Sequence, residues 1–260
     1  MPELPDVETF KRYLDSTSLH HKMTGVKVHD KRILEGVSQS KLSKAVKGNE
    51  FENTRRHGKN LFVKSGSATL YFHFGMTGQL SYEQSDNGPV KYTRVQFNFE
   101  NGHELDYVCR RMLGKVGLTE SSDTFIEKES LGPDALDISE KQFCELLNSK
   151  TAGLKSFLMN QQTIAGIGNI YSDEILFNSK MHPKLKTSDL DDKACSKLYK
   201  NMIKVLNRSI EADADPSKMP NTYLLPHRRA GKKCPRCDGK IKMIKVNNRS
   251  TYFCPKCQSE

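Results

Sequence analysis

The sequence predicts an α+β chain, and three observations carry that prediction: short apolar runs punctuated by glycine in the first half, apolar residues at helical spacing in the middle, and two Cys-x2-Cys knuckles at the end. At 260 residues the chain can bury a substantial core, enough for two domains beside a small metal-stapled module.

The elements follow in order. Residues 5–15 read as a helix that carries the amino terminus into a cleft. Strands are expected near 61–63, 69–74 and 94–99, separated by Gly58, Gly66, Gly75, Gly78, Gly88 and Gly102. Alternation in Val95-Gln96-Phe97-Asn98-Phe99 suits a half-buried antiparallel strand. A linker is expected over 121–137, then a helix over 139–147 that starts at a capping serine. Further helices over 155–161, 170–178 and 190–210 make the middle an α-bundle. Residues 213–226 look irregular. Strands over 240–246 and 250–253, turning at Asn247-Asn248-Arg249, close the chain as a hairpin with a basic tip.

Cys234, Cys237, Cys254 and Cys257 have the spacing of four thiolates on one tetrahedral Zn²⁺. Such a set leaves no open coordination position, so the single ion is structural. Disulfides compete for these residues, but no signal peptide is visible and Cys109, Cys144 and Cys195 make the total odd. Structural zinc in a reducing cytoplasm is the expected state. A net charge of +10, from 41 Lys+Arg against 31 Asp+Glu, favours a polyanionic partner, although solvated lysines give the same sum. No apolar run approaches the ~20 residues of a membrane span.

Four stretches carry chemistry. Met1-Pro2-Glu3 would expose a secondary amine if Met1 were removed, with an unperturbed pKa of about 7.7 to 8.0 and an adjacent acid. Taken alone, it is a turn-forming terminus. Arg55-Arg56-His57-Gly58-Lys59 suits a phosphate clamp or an ordinary solvated loop. His73-Phe74-Gly75-Met76-Thr77-Gly78 sets an apolar side chain between glycines, as a core methionine beside turns or as a probe entering a duplex. Ile164-Ala165-Gly166-Ile167-Gly168-Asn169-Ile170 is a glycine-rich entry to a helix, where free N–H groups favour an anion, and it lacks the Lys-Ser/Thr of a nucleotide-binding loop.

Together, MPELPDVET, RRHGKNL, HFGMTG, LGPDALD, QQTIAGIGNIYSDEILF, CPRCDGKI and NNRSTYFCPKCQ resemble the formamidopyrimidine-DNA glycosylase (Fpg/Nei) family from Pro2 to Gln258. The resemblance implies an N-terminal antiparallel β-sandwich (1–130), a helix-two-turns-helix domain (131–225) and a four-cysteine zinc-finger hairpin (226–260), with damaged double-stranded DNA between the halves. It implies a monomeric cytoplasmic enzyme, nucleoid-associated in a prokaryote, that is both glycosylase and abasic-site lyase. Pro2 would be the Schiff-base nucleophile and Glu3 the acid that assists ring opening, with Lys59 gripping phosphate beside them. His73, Met76, Arg110, Arg111, Asn169 and Arg249 would contact DNA, and Asp6 and Glu174 would support the site.

The chain departs from the family pattern in three places. Asp6 replaces the usual glutamate, Met112 or Leu113 stands where an aromatic wedge is usual, and the segment before Pro226 lacks the family's Lys-Pro-Gly pattern. Oxidised purines are the expected substrates. A Nei-like preference for oxidised pyrimidines, a noncatalytic DNA binder and a zinc-ribbon ribosomal or transcription factor are the alternatives. The last leaves the amino end and IAGIGNIY unexplained.

Overall fold

The computed structural model describes residues 2–258. The chain divides into two compact units, Met1–Ser130 and Leu131–Glu260.

The first unit opens with helix α1 (Leu4–Thr17), whose Leu4, Val7 and Leu14 are buried. Strand β1 (Met23–Val28) follows, then a two-residue β2 (Leu34–Glu35) and helix α2 (Gln39–Val46). Seven more strands complete the unit: β3 (Asn53–His57), β4 (Asn60–Ser65), β5 (Ala68–His73), β6 (Gly78–Gln84), β7 (Thr93–Phe99), β8 (His103–Cys109) and β9 (Lys115–Thr119). They form a four-stranded sheet in the order β1-β7-β8-β6 and a five-stranded sheet in the order β2-β9-β5-β4-β3. All pairings are antiparallel except β2 with β9. Leu61, Val63, Leu70 and Phe72 of one sheet and Val95, Phe97, Leu105 and Tyr107 of the other belong to a single apolar core, which makes the unit a sandwich.

Two helices here differ from the strand-and-linker expectation. Ser38 caps α2 and Leu42 and Val46 face inward, a short amphipathic turn inside otherwise strand-like sequence. Within the expected linker, Ser121 caps α3 (Ser122–Lys128), and Phe125 packs on Phe62 and Tyr71 with ring centres 5.3 and 4.5 Å apart. That contact covers the outer face of β4, which is why five of its six residues are buried. Gln96 also departs from simple alternation, being buried and bonded to Glu104.

The second unit holds α4 (Glu140–Asn148), α5 (Leu154–Met159), α6 (Asn169–Ser179) and α7 (Asp192–Glu211). Ser139 and Gln142 form a reciprocal capping box at the start of α4, and Asp191 caps α7. Helix α6 is buried from Tyr171 to Phe177 and so is enclosed on all sides. The stretch expected to be irregular holds 3-10 turns at Pro216–Lys218 and Leu225–His227. Strands β10 (Lys242–Val246) and β11 (Arg249–Phe253) form the closing hairpin. Asn247 and Asn248 both have positive φ, 47° and 58°, as a two-residue turn between twisted strands requires.

One covalent feature corrects the cysteine reading. Cys144 of α4 and Cys195 of α7 form a disulfide with Cα atoms 5.9 Å apart. An odd total excludes full pairing but does not prevent one pair, and only Cys109 among the three is left as a buried thiol.

Candidate active site and nucleic-acid interface

In the first unit, α1 builds the amino end. Glu3 is fully buried in extended backbone just before the helix. Its N–H donates to Asp6 Oδ2 at 2.9 Å, occupying a donor that a helix start leaves open and fixing the chain direction at Pro2. The aspartate at position 6 is therefore long enough for this bond. Burial pushes the Asp6 carboxyl up to about 6, with the Glu3 N–H opposing the rise and the Glu3 charge adding to it. Pro2 is half-buried. An amine at residue 2 would lie near the positive end of the α1 dipole, which disfavours its protonated form. The expected removal of Met1 falls outside the described residues.

The basic turn joins β3 to β4 at Gly58-Lys59, with His57 opposite Asn60. Arg55 Nη1 donates to Asp123 at 2.7 Å and Arg56 Nε to Glu8 at 2.8 Å. Both arginines are thus engaged within the unit. His73, opposite Asn60 on β5, is held below its ordinary pKa by burial and then by the charges of Lys59 and Lys115, against the pull of Glu35. The Gly75 N–H donates to its Nδ1 at 3.3 Å, which assigns the ring proton to Nε2. A neutral imidazole with that donor suits a phosphate oxygen.

Two loops meet beside this group. Gly75 has φ 57°, and a Cβ there would lie 2.3 Å from the Leu113 backbone, so the Met76 loop and the loop after β8 can touch only because residue 75 has no side chain. The Arg111 N–H donates to Thr77 Oγ1 at 3.0 Å across the same junction. Met76 and Leu113 are among the exposed large apolar residues, at 39% and 50%, whereas Met112 packs against the core. The structure thus chooses Leu113 over Met112 as the exposed apolar tip. Arg110 and Arg111 are both exposed, the former 5.9 Å from the Tyr92 ring centre.

In the second unit, Gln161 pins the glycine-rich loop. Its Nε2 donates to the Met159 and Ile167 carbonyls and its Oε1 accepts from the Gly166 N–H. Gly168 then caps α6, and Asn169 donates from Nδ2 to the Ser250 carbonyl at 3.1 Å. Asn169 Oδ1 is buried with no partner among the described residues. Arg249 is exposed at the start of β11. Glu174 is fully buried and accepts from the Leu224 and Leu225 N–H groups at 3.0 and 2.6 Å and from Asn178 at 2.5 Å. Burial pushes its carboxyl up to about 7 against those bonds. Its work here is to anchor the segment ahead of the zinc knuckle.

The four cysteine sulfurs lie within 4.8 Å of one another. The closer pairs are 3.4 to 3.8 Å apart, near the edge of a tetrahedron with Zn–S bonds of about 2.3 Å. N–H groups of Arg236 and Gly239 point to Cys234 and Cys237 sulfur, and a Cβ at Gly239 would come within 3.2 Å of two sulfurs. The donor set fits one structural zinc.

Sequence reasoning missed a buried ionic group in this unit: Lys155, Asp173 and Arg228. An aspartate amid the apolar residues of α6 was the only signal for it.

Comparison with known proteins places these features. Residues 1–116 match the formamidopyrimidine-DNA glycosylase N-terminal domain, 131–221 the formamidopyrimidine-DNA glycosylase H2TH domain, and 231–259 a zinc finger found in FPG and IleRS. The formamidopyrimidine-DNA glycosylase of Pelotomaculum thermopropionicum is 33% identical, over 99% of this chain and 99% of its own. That of Lactococcus lactis subsp. cremoris is 31% identical over the whole of both chains. Among solved structures, wild-type Lactococcus lactis Fpg in complex with DNA containing N7-benzyl-Fapy-dG has a TM-score of 0.91 at 28% identity, covering 100% of both chains. Lactococcus lactis Fpg in complex with DNA containing an abasic site has a TM-score of 0.90 at 28% identity, covering 99% of this chain and 100% of that one.

Proposed function

The chain belongs to the formamidopyrimidine-DNA glycosylase family, and from that premise we propose how its own residues divide the work of a base-excision DNA glycosylase and abasic-site lyase. The substrate is damaged double-stranded DNA and the preferred lesions are oxidised purines. The enzyme is a monomer that works in the cytoplasm, on the nucleoid if its host is a prokaryote. Among the described residues no helix is long and apolar enough to cross a membrane.

Pro2, as the amino-terminal secondary amine, attacks C1′ of the damaged nucleoside. The C1′–N bond to the base breaks and the base leaves with a proton. Glu3 delivers a proton to the ring oxygen as the sugar opens, leaving an iminium ion between Pro2 and C1′. The iminium acidifies C2′–H, and its loss expels the 3′ phosphate oxygen. A second elimination, with loss of C4′–H, breaks the C5′–O bond. Water then hydrolyses the iminium, which frees Pro2, releases the sugar remnant as an unsaturated aldehyde and leaves a one-nucleoside gap flanked by phosphates. Lys59 and neutral His73 contact backbone phosphate in the first unit, and Asn169 and Arg249 contact backbone phosphate in the second. Met76 and Leu113 fill the space of the extruded nucleotide, with Arg110 and Arg111 beside them. The zinc fixes the hairpin that carries Arg249.

The observation that carries this reading is the buried Glu3 held by Asp6 at the head of α1, since phosphate binding alone needs neither an acid nor a secondary amine there. Borohydride trapping on duplexes carrying 8-oxoguanine, formamidopyrimidine, an oxidised pyrimidine or an abasic site tests it. A covalent complex lost in Pro2→Gly, with DNA affinity kept, is the expected result; absence of trapping on every duplex by zinc-loaded protein lacking Met1 would leave a noncatalytic binder. The aliphatic Leu113 and the 3-10 turns that fill the stretch before the zinc knuckle favour a second, Nei-like reading, and stronger trapping on the oxidised pyrimidine would select it.

A further inference from the structure

Arg228 lies between the Leu225–His227 turn and the first zinc knuckle, outside every stretch singled out in the sequence. Its guanidinium holds Asp173 Oδ2 through Nε at 3.0 Å and Nη2 at 2.7 Å, and stacks 4.6 Å from the Tyr252 ring centre. The same Nη2 lies 3.5 Å from the Asn169 and Ser250 carbonyl oxygens. Asn169 begins α6 and Ser250 follows Arg249, so one planar group spans the two backbone segments that carry the phosphate side chains of this unit.

The cluster is buried and charged. Asp173 is fully buried, and its other oxygen takes Lys155 Nζ at 2.6 Å. Lys155 also donates to Thr251, and the Tyr252 N–H donates to Asp173 Oδ2 at 3.0 Å. Two cations thus share one carboxylate. A buried ionic group of this kind costs desolvation that apolar packing would avoid, so stability does not account for it. Its geometry does, because the planar fork of an arginine imposes one orientation on the groups it joins, which the rotatable point charge of a lysine ammonium does not.

We propose that Arg228 is a positioning residue for DNA phosphate: by joining Asp173 to the Asn169 and Ser250 carbonyls, it sets Asn169 and Arg249 at the spacing that grips the phosphodiester strand at the lesion. The inference rests on Asn169 and Arg249 being phosphate contacts.

Binding to a duplex carrying a tetrahydrofuran abasic analogue, measured by fluorescence anisotropy across a KCl series, tests it. Arg228→Ala should weaken binding about tenfold and reduce the salt slope by about one ion. In an Arg249→Ala background the same change should cost less than about twofold, because one of the two groups whose spacing it sets is gone. Arg228→Lys, which keeps the charge and loses the fork, should bind at least about threefold more weakly than wild type. Losses that multiply in the double variant, or a lysine variant that binds as wild type does, overturn the proposal and leave the phosphate reading standing. An Arg249→Ala protein with unchanged affinity and slope removes the phosphate reading and the proposal with it. Zinc content monitors folding, and should Arg228→Ala lose the metal, the lysine variant carries the test alone.

Discussion

Asp6 holds a proton more tightly in the folded chain than it would when unfolded, because burial outweighs the Glu3 N–H bond. Between its ordinary pKa and about 6, the unfolded state releases a proton that the folded state keeps, so this group's contribution to stability falls as pH rises through that window and is flat above it. The effect is on the order of 3 kcal/mol across the window. Asp6→Asn keeps an acceptor for Glu3 without the titration, so denaturation curves from pH 4 to 6.5 should show wild type losing stability relative to the variant; parallel pH profiles would show that Asp6 is not the titrating group. Leu113 makes a different prediction. Leu113→Ala should slow removal of a damaged base about tenfold while sparing cleavage at a preformed abasic site, where no base has to be extruded. Equal loss on both substrates would place Leu113 in general DNA binding.

The junction of the Met76 loop with the loop after β8 depends on a missing side chain. Gly75→Ala would place a methyl group against Leu113 backbone at a positive φ, and should destabilise the first unit by about 2 kcal/mol or more in a thermal melt. An unchanged melting temperature would mean that the two loops part freely. Much of the element order was legible: the capping serine of α4 and the Asn-Asn turn each state a local rule that the fold obeys. Helices α2 and α3 were not, because each offers only one or two buried apolar positions, too few to set a period against the neighbouring strand signal. The candidate site divides in the same way. Cysteine spacing is a one-dimensional signal, and the donor set could be read from it. Arg228 and Asp173, 55 positions apart, meet only through the fold, and the engagement of Arg55 and Arg56 within the sandwich is equally a tertiary fact.

Across the molecule, the second unit carries both stabilising devices beyond ordinary packing: the zinc set and the Cys144–Cys195 bond. The bond closes a separation of 51 residues, and in the chain-entropy account such a loop contributes about 4 kcal/mol. Reduction with a phosphine should therefore lower a calorimetric transition assigned to the second unit and leave that of the first in place; a scan indifferent to reductant would mean that the thiols are free in solution. Chelation of zinc should abolish DNA binding while the sandwich transition persists. The packing around the metal has a consequence for recombination between relatives. Phe177 of α6 and Leu224 share one apolar cluster with Cys234, Ile241 and Cys254, so the finger's interior is completed by residues encoded well upstream. A chimera spliced at the start of the finger would separate those partners, whereas one spliced between Ser130 and Leu131 would inherit each compact unit whole.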